Sequence, residues 1–268
     1  MSGFSSDWLA LREPADHGSV NAQVREACVR AFEGREMLRI VDLGSGTGSN
    51  LRALSPAITI PQHWTLVDYD EALLSVAKAR AGACAAGNVE VAYQQANLSD
   101  GSIASLIAEA DLVTASALFD LVSVDVIERI TSDIAAKGCA FYTVLTYDGL
   151  ASWLPEHPAD NAMRDAFNTH QRSDKGFGLA AGPDATQALA TAFMALGYTV
   201  RRGMSPWVLD QSYAVLRQEV DRGWAAAVRE TNAVPVQDID DWLNHRLGHP
   251  EAVTIVGHED LLALPPVH

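Results

Sequence analysis

The sequence has little cysteine and little positive charge. Its three cysteines are odd in number and include no C-x-x-C pair, which argues against a disulfide framework and a zinc knuckle. They are predicted to be small buried apolar residues: Cys28, Cys84 and Cys139. Lysine and arginine number 19 against 34 acidic residues, so the formal net charge is -15. Because this charge opposes contact with phosphate backbones, nucleic acid is not expected as a substrate.

The chain also lacks long apolar runs and internal repeats. No stretch approaches the roughly 18 apolar residues of a membrane span, and the N-terminus carries Asp7, Arg12, Glu13 and Asp16 instead of the apolar core of a signal peptide. No period of about 20 to 50 residues recurs, which excludes a solenoid. A length of 268 residues suffices for one α/β enzyme domain with insertions. Because no signal peptide or membrane span is indicated, we expect this enzyme to be cytoplasmic and without membrane contact.

A glycine-rich turn after an apolar stretch is the most informative motif. Residues Val41–Asn50 read VDLGSGTGSN, with glycines at positions 44, 46 and 48. The apolar residues before the turn predict a buried parallel strand, and glycines allow the backbone to pass close to a ligand. Ser49 stands where the dinucleotide motif G-x-G-x-x-G has its last glycine. The spacing therefore disfavours a nicotinamide dinucleotide.

Further strands are predicted to deliver polar side chains to the same sheet edge. Trp64–Asp68 predicts a second strand, and its final acid lies 20 residues beyond Gly48, where such folds bind ribose hydroxyls. Asp70 is expected to cap the helix that follows. Later strands and helices alternate, which predicts an α/β fold with a doubly wound, seven-stranded, mostly parallel sheet, N-terminal helices and a lid insertion.

The D-x-G-x-G-x-G pattern that begins at Asp42 resembles the S-adenosylmethionine (SAM) motif of the class I, Rossmann-like methyltransferases. The resemblance covers roughly residues 37 to 210 and extends more loosely to the last strand. It implies a SAM-dependent methyltransferase (EC 2.1.1.-) that transfers a methyl group by in-line SN2 displacement and releases S-adenosylhomocysteine. A small-molecule acceptor is expected, whereas the acceptor atom is left open.

The resemblance also implies which residues hold the cofactor. Asp42 would help to hold the ammonium group of SAM, Asp68 its ribose, and Asn97 the adenine amino group. Many members of the family carry Asp in place of Asn97, but an amide oxygen can accept the same hydrogen bond; a role in the turn at residues 99–101 is the alternative. The predicted cofactor contacts are Asp42, Gly44, Ser45, Gly46, Gly48, Asp68, Tyr69, Asn97, Leu98 and Ser116.

The domain organisation is predicted from element spacing. Residues 1–36 form an N-terminal helical cap, and residues 37–268 form the SAM-binding domain with two insertions. The insertion 148–183 combines aromatic, basic and glycine positions, so we expect it to be a lid over the acceptor. The insertion 211–250 has helical apolar spacing and is expected to cover the sheet or an oligomer surface. If this insertion covers an oligomer surface, the protein could form a homodimer.

Candidate acceptor-side residues are less constrained by the sequence. His170 and Tyr147 are predicted as base or orienting group, although buried hydrogen-bond networks are the alternative role for both. Arg12 is expected either to clamp a carboxylate or to pair locally with Glu13 or Asp16. The predicted acceptor contacts are Arg12, His17, Phe119, Trp153 and Lys175.

Missing motifs narrow the reaction further. Residues 115–120 lack the N-P-P-[YF] run of enzymes that methylate nucleobase amino groups, and the chain has no paired-glutamate loop of arginine methyltransferases. Asp120 and Asp148 are present, but no Asp-Asn pair follows them, so no metal is predicted. Two alternatives remain: an NAD(P)-dependent oxidoreductase, and a SAM-binding module without catalysis.

Overall fold

The computed structural model describes residues 4–81, 87–98 and 102–266. Eight strands form one sheet. They are β1 (Leu38–Leu43), β2 (Gln62–Asp68), β3 (Val89–Gln95), β4 (Leu112–Ser116), β5 (Ala140–Leu154), β6 (Thr199–Met204), β7 (Trp207–Leu209) and β8 (Val253–Leu264). The main path across the sheet is β3-β2-β1-β4-β5-β8-β6, and β7 pairs with β8 beside it.

The sheet is parallel except where β8 is involved. β1 pairs in parallel with β2 and β4, β2 with β3, and β4 with β5. β8 runs antiparallel to β5, β6 and β7. The predicted doubly wound, mostly parallel α/β sheet is therefore confirmed, with the short β7 as an eighth strand that the sequence did not indicate.

Helices cover both faces of this sheet. They are α1 (Ser6–Ser19), α2 (Ala22–Arg30), α3 (Ser49–Leu54), α4 (Glu71–Arg80), α5 (Ala104–Ile107), α6 (Val124–Lys137), α7 (Asp160–Gln171), α8 (Ala185–Ala195), α9 (Ala214–Thr231) and α10 (Val236–Gly248). α1 and α2 occupy the predicted cap region, and α9 and α10 occupy the second predicted insertion. The division of the chain into cap, domain and insertions stays a prediction.

The central strands carry buried apolar side chains on both faces, as β1 shows. Along β1, Leu38 and Ile40 face one apolar cluster, whereas Val41 and Leu43 face the other. Successive side chains of a strand point to opposite faces, so a strand between two helical layers needs apolar residues at consecutive positions. The glycine turn after β1 is thereby fixed to the most buried part of the sheet.

The ends of α6, which packs into the same apolar cluster as Val41 and Leu43, are determined by the local sequence. The Ser123 hydroxyl accepts the N–H of Val126 and caps the N-terminus. Gly138 ends the helix with a left-handed φ of +73°. The buried face comprises Val126, Ile127, Ile130, Thr131 and Ile134.

Cys28 and Cys139 are free and buried, as predicted, whereas Cys84 lies outside the described residues. In the part of the chain that the structure describes, none of the helices has the length and apolar character needed to cross a membrane.

Candidate functional site

The glycine turn joins β1 to α3 through three left-handed glycines. The φ angles of Gly44, Gly46 and Gly48 are +61°, +52° and +79°. A Cβ at Gly44 would lie 3.0 Å from a methyl carbon of Leu118, and one at Gly46 would lie 3.2 Å from Leu9 Cδ1. Residues with a side chain rarely adopt these φ values, so the turn requires glycine for its backbone as well as for its space.

A cavity of about 890 Å³ lies over this turn, at the carboxyl ends of β1, β2 and β4. Its volume is in the upper part of the range of small-molecule sites. Eleven of the predicted site residues line it: Arg12, Asp42, Gly44, Ser45, Gly46, Asp68, Tyr69, Asn97, Leu98, Ser116 and Lys175. Gly48, the N-cap of α3, is not part of the wall. The cavity thus brings together nine of the ten predicted cofactor contacts.

Asp42 lies in the wall with one of its carboxylate oxygens unpaired. Its Oδ1 accepts hydrogen bonds from Asn50 Nδ2 at 2.7 Å and Thr114 Oγ1 at 2.8 Å. Its Oδ2 is buried and has no hydrogen-bond partner. Burial raises the pKa of Asp42 to about 6, although the two hydrogen bonds oppose the shift. Since buried carboxylate oxygens are normally paired, this atom is suited to a cationic or hydrogen-bonding group of a ligand.

Asp68 connects the end of β2 with the glycine turn. Its Oδ2 accepts from the Gly46 N–H at 2.7 Å, and its Oδ1 accepts from the Asp70 N–H at 2.9 Å. Burial raises the pKa of Asp68. Asp70 caps α4 by accepting the N–H groups of Ala72 and Leu73, so its predicted capping role is confirmed. The two neighbouring acids therefore have different roles.

Arg12 lines the cavity from α1 but already has a partner. Its Nε and Nη2 donate to the two carboxylate oxygens of Asp16, at 2.9 and 3.2 Å. The guanidinium carbon lies 4.9 Å from the ring centroid of Trp207, whose Nε1 also donates to Asp16. The local pairing predicted as the alternative for Arg12 is what the structure shows, although Arg12 still lines the cavity.

Lys175 also lines the cavity, and His170 contacts Lys175 from outside the wall. Lys175 Nζ lies 3.2 Å from His170 Nδ1, and His170 Nε2 lies 3.0 Å from Glu230 Oε2. Burial lowers the pKa of Lys175, against the influence of Glu230 and Asp120. His170 is not part of the cavity wall, so its predicted position facing the acceptor is corrected to one behind Lys175.

Tyr147, Phe119 and Trp153 are corrected in the same way, because all three are buried in the core. The Tyr147 hydroxyl donates to Asn168 Oδ1 at 2.8 Å, and burial raises its pKa. Phe119 packs edge-on against Phe141. Trp153 lies with its ring centroid within 5.2 and 5.3 Å of two further tryptophans, Trp224 and Trp242.

His17 also lies outside the wall. Its Nε2 is 3.0 Å from Ser49 Oγ and 3.1 Å from the Ser49 carbonyl oxygen, so it ties α1 to the start of α3. It supports the cavity from behind the glycine turn.

The predicted lid is largely regular structure. Residues 148–154 belong to β5, and α7 packs against α9. Only the segment around Gln171–Phe177 reaches the cavity, through Gln171, Asp174, Lys175, Gly176 and Phe177. The prediction of a lid over 148–183 is therefore reduced to this short segment.

Several polar residues at the cavity were not predicted, among them Asn50 in the wall and Asp120 behind it. Asn50 orients Asp42 from the first turn of α3, and its position eight residues after that acid was the available signal. Asp120 follows β4; it is buried with an unpaired Oδ1, and burial raises its pKa to about 6 against the nearby charges of Arg12 and Lys175. Its place after a strand at the carboxyl edge was a signal, but the sequence pattern suggested only a metal ligand there.

Comparison with known proteins identifies part of the chain. Residues 40–137 match the family model described as a methyltransferase domain. This region is a methyltransferase domain. It contains the glycine turn, Asp42 and Asp68, and the chain from within β1 to the end of α6. The predicted resemblance to the class I methyltransferases is thereby confirmed.

Solved structures show the same fold at low identity. The chain is similar to YcgJ from Bacillus subtilis, with 14% identity and a TM-score of 0.53, over 92% of this chain and 100% of that chain. It is also similar to the cyclopropane synthase MmaA2 from Mycobacterium tuberculosis, with 11% identity and a TM-score of 0.51, over 97% of this chain and 94% of that chain. A search of curated proteins found no match.

Proposed function

We propose that the methyltransferase domain transfers a methyl group from SAM to a small-molecule acceptor. The observation that carries this proposal is the unpaired, buried Oδ2 of Asp42 beside the glycine turn. The SAM ammonium group fits this oxygen, because a carboxylate that accepts only two hydrogen bonds on its other oxygen retains strong acceptor capacity. Gly44 and Gly46 line the cavity next to that carboxylate, so the backbone there can approach the cofactor closely.

The remaining cofactor wall supports the same assignment. Asp68 would accept ribose hydroxyls, since its carboxylate is oriented by the N–H groups of Gly46 and Asp70 and still has lone pairs free. Asn97 and Leu98 line the cavity where the adenine is expected, and Ser116 lines it at the end of β4. When bound, SAM supplies a methyl group that its sulfonium already activates.

The other residues of the chain then have to position the acceptor and keep water out. We assign the part of the wall beyond the cofactor contacts to the acceptor and call it the acceptor half; it includes the apolar side chains of Leu121 and Phe177, which reduce access of water. Arg12 and Lys175 supply polar contacts from α1 and from the segment after α7. We assign α1 the role of a cap, since it contributes Leu9, Arg12 and Asp16 to the wall.

Tyr147 is not proposed as a base, because its hydroxyl is buried and donates to Asn168. Asp120 has a buried Oδ1 without a partner, and burial raises its pKa to about 6, but Asp120 is not part of the cavity wall. A general base has to reach the proton that it removes, so Asp120 is not assigned that role either.

Calorimetry and turnover test the proposed function together. We expect SAM and S-adenosylhomocysteine to bind to the protein, and NAD(P)H not to bind. Incubation with methyl-labelled SAM and a metabolite extract, followed by mass spectrometry, should reveal a labelled small molecule. Binding of NAD(P)H without SAM would favour an oxidoreductase, whereas SAM binding without any labelled product would favour a module that lacks catalysis.

A further inference from the structure

The two cations in the acceptor half of the cavity differ in how they are compensated. Arg12 is held by both carboxylate oxygens of Asp16. Lys175 forms no ion pair with any residue that the structure describes, and its hydrogen-bond partner is a ring nitrogen of His170. A lysine ammonium has three donors, so a single acceptor leaves it incompletely satisfied. Lys175 is therefore the cation of this wall whose charge is not directly paired with a carboxylate among the described residues.

Glu230 and His170 fix the direction of the Lys175 side chain. A carboxylate only accepts hydrogen bonds, so His170 Nε2, 3.0 Å from Glu230 Oε2, carries the proton. The lone pair of His170 Nδ1 is then free to accept from Lys175 Nζ at 3.2 Å. A neutral imidazole orients the ammonium without cancelling its charge. Glu230 is 71% exposed, so solvent screens its effect on Lys175.

The carboxylates of Asp174 and Asp120 do not form ion pairs with Lys175 in the part of the chain that the structure describes. Asp174 uses its Oδ1 to accept the N–H of Gly176 at 2.7 Å. Asp120 favours the charged form of Lys175, but it lies behind the wall and forms no ion pair with that lysine among the described residues. Beside Lys175, Phe177 and Leu121 give the same half an apolar surface. The wall thus combines one oriented ammonium with apolar contacts.

We propose that Lys175 binds an anionic group of the methyl acceptor, so that the acceptor is a small organic acid with an apolar body. This proposal rests on the proposed methyltransferase function and names its substrate class. Lys175 is the residue that contacts the acceptor, whereas His170 and Glu230 are positioning residues that act through it. Carboxylates and phosphate monoesters share the required chemistry.

A charge-sorted metabolite extract tests the substrate class directly. The extract is divided at pH 7 into a fraction retained by an anion-exchange resin and a flow-through fraction, and each is incubated with the protein and methyl-labelled SAM. We expect the labelled product from the retained fraction. Phosphatase treatment of this fraction beforehand distinguishes the sources: the product disappears if the acceptor is a phosphate monoester and persists if it is a carboxylate.

Variants then test Lys175 itself. With the retained fraction, Lys175→Met should reduce labelled product roughly 10- to 100-fold, the loss typical of a hydrogen bond to a charged group, while SAM affinity stays unchanged. Lys175→Arg should restore much of the activity because it keeps the charge. Lys137→Met is the matched control, since Lys137 is exposed in the last turn of α6. Melting curves show whether each variant is folded.

The positioning role of His170 has its own pair of variants. His170→Asn keeps an oxygen acceptor near the position of Nδ1, whereas His170→Leu removes it. Once the labelled acceptor is purified, His170→Leu should raise its KM with little change in kcat or SAM affinity, and His170→Asn should raise it less. Equal effects of the two variants would contradict orientation of Lys175 by His170.

The outcomes separate this proposal from the function on which it rests. Labelled product from the flow-through fraction only, or undiminished labelling by a folded Lys175→Met variant, would overturn the anionic acceptor and leave the methyltransferase function intact. SAM binding without labelled product from either fraction would overturn both.

Discussion

The backbone N–H of Gly46 donates a 2.7 Å hydrogen bond to Asp68 Oδ2, which joins the glycine turn after β1 to the end of β2. The second carboxylate oxygen of Asp68 accepts the N–H of Asp70. One side chain therefore holds the shape of the turn and presents its remaining lone pairs to the cavity. Such preorganisation lowers the ordering cost of ligand binding.

Replacement of Asp68 should affect the cofactor far more than replacement of its neighbour. Asp68→Ala removes the carboxylate from the cavity and frees the Gly46 amide, so we expect SAM affinity to fall by about 1.5–3 kcal/mol for each charged hydrogen bond lost. Asp70→Ala removes the cap of α4 and should cost about 1 kcal/mol of stability with little change in affinity. Calorimetry and thermal melts measure both. Equal affinities of the two variants would remove Asp68 from the site.

A side chain at Gly46 should abolish SAM binding. Gly46→Val places a branched side chain at a φ of +52°, where its Cβ would lie 3.2 Å from Leu9 Cδ1. Gly197→Ala is the control for backbone strain alone, because Gly197, just after α8, has a φ of +81° and a Cβ there would meet no atom within 4 Å. We expect the control to cost about 1–2 kcal/mol of stability and to bind SAM normally. Normal SAM binding by folded Gly46→Val would show that the turn is only structural.

The sequence predicted the parts of the site that depend on local chemistry. The glycine turn, the strand before it and the Asp70 cap each follow from a few consecutive residues, and all three are present. The carboxyl ends of parallel neighbours meet at one edge, so Asp42, Asp68 and Asn97 could be placed together without long-range information.

The acceptor side depended on pairings that are distant in the chain. β5 continues to Leu154 because it pairs with β8, and this extension carries Trp153 into an aromatic cluster with α9 and α10. At the start of α8, the Asp184 carboxylate pairs with Arg172 and makes no cap. Neither the strand extension nor this ion pair leaves a periodic signal in the sequence.

The pH dependence of SAM binding should reveal Asp42. With a pKa of about 6, its carboxylate becomes neutral as the pH falls through 6 and loses its attraction for an ammonium group. SAM affinity should therefore fall between pH 7 and pH 5. Asp42→Asn, which keeps an oxygen to accept from Asn50 and Thr114, should bind SAM weakly and show a flatter profile. Calorimetry at several pH values measures both, and identical pH profiles would contradict this role.

Asp42 should affect the stability of the ligand-free protein in the opposite direction. The folded protein retains the Asp42 proton up to about pH 6, whereas the ordinary aspartate value is 3.8. The contribution of this group to stability is therefore present below about 3.8 and is lost as the pH rises through 6. Denaturant unfolding at pH 5 and pH 7 should show a smaller pH difference for Asp42→Asn than for the wild type.

Tyr147→Phe should separate a core residue from a catalytic one. The substitution removes the hydrogen bond to the partly buried Asn168, so we expect a loss of about 0.5–1.5 kcal/mol in the free energy of unfolding. The rate of labelled-product formation should change little, since Tyr147 lies outside the cavity wall. A large loss of turnover in a folded variant with unchanged SAM affinity would restore Tyr147 as a catalytic residue.

The segment after α7 should close over the cavity when ligands bind. Lys175 and Phe177 line the cavity together with Gln171, the last residue of α7, whereas α7 itself packs against α9. Trypsin should therefore cleave after Arg172 and Lys175 in the ligand-free protein and leave Arg164, inside α7, protected. If cleavage requires an open segment, S-adenosylhomocysteine at 100 times its Kd can reduce the open population by up to roughly 100-fold. Mass spectrometry of the fragments follows each site separately. Cleavage after Arg172 and Lys175 that is indifferent to the ligand would show that this segment is a fixed part of the wall, leaving the acceptor to enter past α1.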